Sequence, residues 1–89
     1  MSVHGEFQRI LGELADFLER TGGPGCDAWA RELQEAGSAG RKKLSDGASR
    51  AFALLQGDSA PTFVSPLEIE EFARLQEHLT SLCRVILGR

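Results

Sequence analysis

The stretch from Ser65 to Arg89 constrains the fold more than any other part of the chain. Ser65-Pro66-Leu67-Glu68 has the form of a capping box with proline at the first helical position, the serine oxygen placed to accept an orphan amide and Glu68 to reach back. Val64 and Ile69 occupy the two positions of a hydrophobic staple. Beyond them Ile69, Phe72, Leu75, Leu79, Leu82, Cys83 and Ile86 recur at steps of three and four. That spacing predicts a helix over 66–87 with one apolar stripe, ended by Gly88. A helix of about six turns with a single apolar face must lie along other elements, so the rest of the chain has to supply them.

It supplies three more amphipathic segments. Over 3–20, Val3, Phe7, Ile10, Leu11, Leu14, Phe17 and Leu18 share about one third of a helix circumference, while Glu6, Arg9, Glu13, Asp16, Glu19 and Arg20 face away. Asp16 and Arg20 form an acid-before-base pair four apart. Gly12, on the polar side, is read as the mark of a close approach by another backbone. Thr21-Gly22-Gly23-Pro24-Gly25 stops this helix, because glycine takes the left-handed cap and proline cannot continue the run. A second helix is predicted over 26–36, with Trp29, Ala30, Leu33 and Cys26 inward. Trp29 is the only tryptophan in a chain without tyrosine, and it is assigned to the core. Gly37-Ser38-Ala39-Gly40 reads as a break. The third helix then begins at 41 with the basic run or at 46 after a separate turn, and ends at 56 with Ala48, Ala51, Phe52, Leu54 and Leu55 on its apolar face. Gly57 to Thr62 has the composition of a loop, followed by the apolar pair Phe63 and Val64. No stretch alternates with period two for long enough to be a strand.

The totals narrow the function. Eighty-nine residues, 42% apolar and 26% charged, make one globular domain over 1–89, with no apolar run approaching the length of a membrane span. The start of the chain lacks a basic segment followed by an apolar one, so no signal peptide is expected and a cytoplasmic location is predicted. A net charge of -3 argues against a protein whose main task is gripping phosphates. Cys26 and Cys83 form no CxxC and have no histidine at a metal-binding interval, which predicts buried, reduced thiols and neither a metal nor a cofactor.

Catalysis needs titratable or nucleophilic groups brought together, and few are in view. His78 and Cys83 lie five apart on different faces of the last helix. Glu68, Glu70 and Glu71 are accounted for by the preference of a helix N-terminus for negative charge. With no P-loop, GxGxxG or GxSxG, an enzyme is not expected. Gln76 falls inside the apolar stripe. It either sits at the stripe's edge with its amide in water or faces a second copy of the chain, where a polar residue sets register. Two further features stay unexplained by the core: Phe63 just ahead of the last helix, and the basic run Arg41, Lys42 and Lys43.

An amphipathic first helix, a glycine-rich stop and the Trp29-Ala30-x-x-Leu33 pattern resemble a family of small uncharacterised bacterial proteins whose second helix carries Trp-Ala-x-x-Leu. Phe52-Ala53-Leu54-Leu55-Gln56-Gly57-Asp58-Ser59, running into Phe63, is similar in position to that family's leucine-rich helix and Gly/Ser-rich loop. This chain departs from the pattern in having a single glycine in the loop and no Asn-Asp pair after it. The resemblance implies a small helical protein and no activity or catalytic residue.

The sequence therefore predicts an all-α protein, a compact antiparallel four-helix bundle in which the faces of Phe7 to Leu18 and Ile69 to Ile86 pack together. Its expected role is non-enzymatic protein binding, as an interaction module or an immunity-like or regulatory protein, with a protein partner or a homodimer. The candidate contact residues are Phe63, Arg41, Lys42, Lys43 and Gln76. The alternative is a helix-turn-helix-like DNA-binding protein that uses helices two and three, with the Gly-Ser-Ala-Gly break as its turn.

Overall fold

A computed structural model describes residues 2–57 and 60–88. Its elements are four helices, α1 (Val3–Thr21), α2 (Cys26–Lys42), α3 (Leu44–Gln56) and α4 (Pro66–Leu87), with no strand among the described residues. Ser2 caps α1, its hydroxyl accepting the Gly5 amide at 3.1 Å. Gly22, at φ 65°, closes α1 in the left-handed region and donates its amide to the Leu18 carbonyl. Gly88, at φ 71°, ends α4 in the same way.

α1 packs on α2 and α4, and α3 packs on α2 and α4, so the four helices form a ring around one core. Cross-helix contacts set the directions. Gln8, early in α1, donates to the Gly37 carbonyl late in α2, while Glu19 late in α1 accepts from Gln34 nearer the start of α2. Arg50 of α3 reaches back to Glu35 of α2, and His78 of α4 reaches Glu6 at the start of α1. Sequential neighbours are thus antiparallel, and the bundle is the predicted all-α one.

α2 differs most from expectation. It does not end at Ala36 but runs on through Gly37-Ser38-Ala39-Gly40 to Lys42. Each helical glycine costs roughly 1 kcal/mol relative to alanine, yet Gly37 and Gly40 are buried and a side chain at either would be tightly crowded. A Cβ on Gly40 would lie 3.1 Å from the Phe7 ring and 3.2 Å from the Gln8 amide nitrogen. On Gly47 of α3 it would meet the Gly40 Cα at 2.5 Å and the Ala36 carbonyl oxygen at 2.7 Å. The glycines are there for close packing rather than for a turn. Lys43, in extended conformation, is the only residue between α2 and α3. Its amide donates to the Ala39 carbonyl and its own carbonyl accepts from Asp46 and Gly47. α3 consequently starts at Leu44, between the two positions the sequence left open, and the basic run ends α2 instead of opening α3.

The opposite end of the bundle is aromatic. Trp29, 2% exposed, lies with its ring 5.5 Å from Phe72, Phe72 is 4.9 Å from Phe63, and Phe63 is 5.6 Å from Phe17. The Trp29 indole nitrogen is the one buried side-chain polar atom without a partner among the described residues, at a cost on the order of 1–3 kcal/mol. The Thr62 amide donates to the Pro24 carbonyl at 3.3 Å and Pro61 is buried, so the two loops at this end are tied together.

This packing changes the entry to α4. The Ser65 side chain accepts no helix amide, and the capping box does not form. Nor does the staple: Val64 is 97% exposed and Ile69 49% exposed. Phe63 has turned inward between Phe17 and Phe72, which turns its neighbour Val64 out. The stripe actually buried is Phe72, Leu75, Leu79, Leu82 and Cys83. In α1, Val3 is half-exposed at the helix start, outside the buried stripe. Gly12 is exposed with nothing within 4 Å of where a Cβ would stand, so the close approach expected there occurs at Gly40 and Gly47 instead.

The two kinds of glycine should separate in denaturant. Gly47→Ala is expected to lower the unfolding free energy by about 1–3 kcal/mol through overpacking. Gly12→Ala is expected to raise it by about 0.5–1 kcal/mol through helix propensity. Urea titrations of both variants check this, and equal effects at the two sites would contradict the helix contact described.

Candidate functional site

With α2 continuous, Arg31, Glu35, Ser38 and Lys42 fall at steps of four, three and four on its outer face. The facing edge of α3 presents Asp46 and Arg50. Between them runs an open groove of about 490 Å³ lined by these residues. The Arg50 guanidinium bridges it, 3.0 Å from the Glu35 carboxylate. Both side chains are about half exposed, so the pair contributes at most about 1 kcal/mol and serves to tie the walls together. Arg31, Arg41, Lys42 and Lys43 are exposed and, among the described residues, have no acidic partner. Arg41 and Lys42 lie in the last turn of α2, where the helix dipole favours cations.

The five residues singled out by the sequence are not brought together. Lys42 lines the α2–α3 groove, Arg41 borders a smaller one of about 240 Å³ between α1 and α2, and Lys43 is the joint between helices. Phe63 is half-buried in the aromatic cluster at the other end of α2, about 20 Å or more away along the helix. Gln76 is half-buried on the edge of α4 away from α1, its backbone carbonyl accepting the Thr80 hydroxyl at 2.8 Å and its amide open to solvent. The four-residue break that was to be the turn of a helix-turn-helix is helical. The link that remains is one residue between antiparallel helices, whereas that motif joins its helices by three or four residues at a wide angle.

Arg31, Glu35, Ser38 and Asp46 are not among the contact residues nominated from the sequence. For the three on α2 the signal was the step of four, three and four from 31 to 42, hidden once a break was placed at Gly37.

Outside this face, His78 meets another helix and the two cysteines lie in the core. His78 approaches Glu6 at 3.4 Å, and Glu6 also faces Arg9 at 3.6 Å, which ties α4 to α1 at the surface. Cys26 and Cys83 are free and buried. Among the described residues no group of three His, Cys, Asp or Glu side chains is placed to hold a metal ion, and no helix is long and apolar enough to cross a membrane. The chain matches no family model, no curated protein and no solved structure, so neither an activity nor a site residue comes to it from a relative.

Burial pushes the Cys83 thiol from its ordinary 9.0 up to about 11. On raising the pH the unfolded chain therefore loses this proton first. The contribution to stability is full below about pH 9 and is lost by about pH 11. The chain has no tyrosine to titrate in the same window. Thermal midpoints measured from neutral pH to about pH 11 should fall more steeply above pH 9 for the wild type than for Cys83→Ala. Parallel curves would place the thiol in solvent. At the aromatic end, Phe63→Asp should cost about 2–4 kcal/mol by removing a packed ring and burying a carboxylate. Val64→Asp should stay within about 0.5 kcal/mol of wild type. Chemical denaturation of the pair checks which of the two neighbours faces inward.

Proposed function

We propose that the protein is a small non-enzymatic protein-interaction module, of the regulatory or immunity-like kind, and that its contact surface is the outer face of α2 with the adjoining edge of α3. The observation that supports this reading is the pair of unpaired cations Arg31 and Lys42 lining the α2–α3 groove, with Arg41 on the adjoining α1 side of the same helix, in a chain whose net charge is -3. Charges left without internal partners cost nothing in water, and they steer an oppositely charged surface toward the face that bears them. A specific interface takes roughly 800 Å² from each partner, more than the groove alone offers. The whole outer length of α2, about 25 Å, belongs to the surface.

Phe63, the other contact residue nominated by the sequence, has an intramolecular role in the aromatic cluster. The reading accordingly rests on the basic face.

Immobilised protein should retain a partner from the lysate of its own source. The double variant Arg31→Glu/Lys42→Glu should retain about tenfold less at an unchanged thermal midpoint, with retention by the wild type weakening as salt rises. Equal retention by the two proteins would remove the reading.

A further inference from the structure

We infer that the occupant of the α2–α3 groove is a helix of the partner protein bearing two acidic residues eleven positions apart. This rests on the interaction-module reading above and names the chemistry of its partner. Arg31 and Lys42 stand at the two ends of the groove, eleven residues apart on one helix, a rise of about 16 Å. Both are exposed and unpaired. Between them on α2 the lining residues include Ser38 and Ala39, whose side chains are short.

Eleven residues are close to three helical turns, with about 20° left over. The spacing that puts Arg31 and Lys42 on one face of α2 thus puts two carboxylates eleven apart on one face of a second helix lying alongside. An extended peptide covers the same distance in about five residues. Strand residues that share a face are about 13 or 20 Å apart, so neither matches the spacing as closely as the eleven-residue helical step.

The groove also discriminates between a protein and a nucleic acid. Its walls hold Glu35 and Asp46 together with Arg31, Lys42 and Arg50. A phosphate chain presents one sign of charge at every step and meets repulsion at Asp46. A protein helix places acids at the two ends and neutral or basic residues in the middle.

The test uses fluorescein-labelled alanine-glutamine peptides of about 18 residues, long enough to be helical. One has two glutamates eleven apart. A second, of identical composition, has them nine apart, which places them on opposite faces. Fluorescence anisotropy with the full chain should show the eleven-spaced peptide binding about tenfold more tightly than the nine-spaced one. Arg31→Glu/Lys42→Glu should abolish that preference, and lysines at the eleven-spaced positions should restore binding to the charge-reversed protein. Equal binding of the two glutamate peptides, or tighter binding of labelled duplex DNA, would overturn the inference. So would concentration-dependent self-association of the wild type that the double variant loses, since the occupant would then be a second copy. If no peptide binds while partner retention still depends on Arg31 and Lys42, the helical occupant is wrong and the interaction-module reading stands.

Discussion

The contact between Gly40 and Gly47 holds the rest of the bundle in place. Two helix backbones meet there with no side chain between them, and one added carbon on Gly47 would stand 2.5 Å from the Gly40 Cα. Such an approach lets a single extended residue, Lys43, connect α2 to α3. It also brings the third partner in: Phe7 lies over Gly40, and Gln8 bonds the Gly37 carbonyl. Three helices are therefore registered against one another within one turn of α2. The outer edges of α2 and α3 are left near enough for Arg50 to reach Glu35, which is what makes a groove of that surface.

Apart from Phe7, which lies over Gly40, small residues gather at this end of the core and aromatic ones at the other. Ala36, Gly40, Gly47, Ala48 and Ala51 are buried near the α2–α3 joint, whereas Phe17, Trp29, Phe63 and Phe72 fill the far end. The loop into α4 is held by its aromatic residue and by the Thr62 to Pro24 hydrogen bond, so α4 enters correctly without a side-chain cap on Ser65. Burying a phenylalanine is worth roughly 1.5–3 kcal/mol, whereas a serine cap is worth about 1 kcal/mol. Burial of the ring outweighs the cap and decides where the chain turns, and the capping box is given up.

The charge distribution follows from the same packing. Where helices face each other across the surface the chain pairs its charges, as at Arg50 with Glu35 and His78 with Glu6. Along a helix it pairs Arg9 with Glu13, Arg20 with Asp16 and Arg74 with Glu71. Arg31, Arg41 and Lys42 of α2 are left without an ion-pair partner among the described residues, although Asp46 of α3 stands in the same groove as Arg31 and Lys42. The surface assigned to a partner thus carries cations left without an internal acid among the described residues, as Arg84 of α4 also is.

The sequence by itself determined the class of the fold, the stripes of α1 and α4 apart from Val3 and Ile69, the burial of Trp29 and both cysteines, and the glycine stops at Gly22 and Gly88. All of these rest on local periodicity and local backbone preference, which a chain expresses wherever it packs. What only the tertiary structure decided is whether Gly37 to Gly40 breaks a helix or lets another helix come close. Glycine lowers helix propensity in either case, and the deciding energy comes from Phe7, Gln8 and Gly47, distant in sequence. The same holds at Phe63 and Val64, two adjacent apolar residues of which one is buried because Phe17 and Phe72 leave room for a single ring. The groove was beyond local reading for that reason: the face from Arg31 to Lys42 exists only if α2 is continuous, and the contacts that make it continuous are long-range.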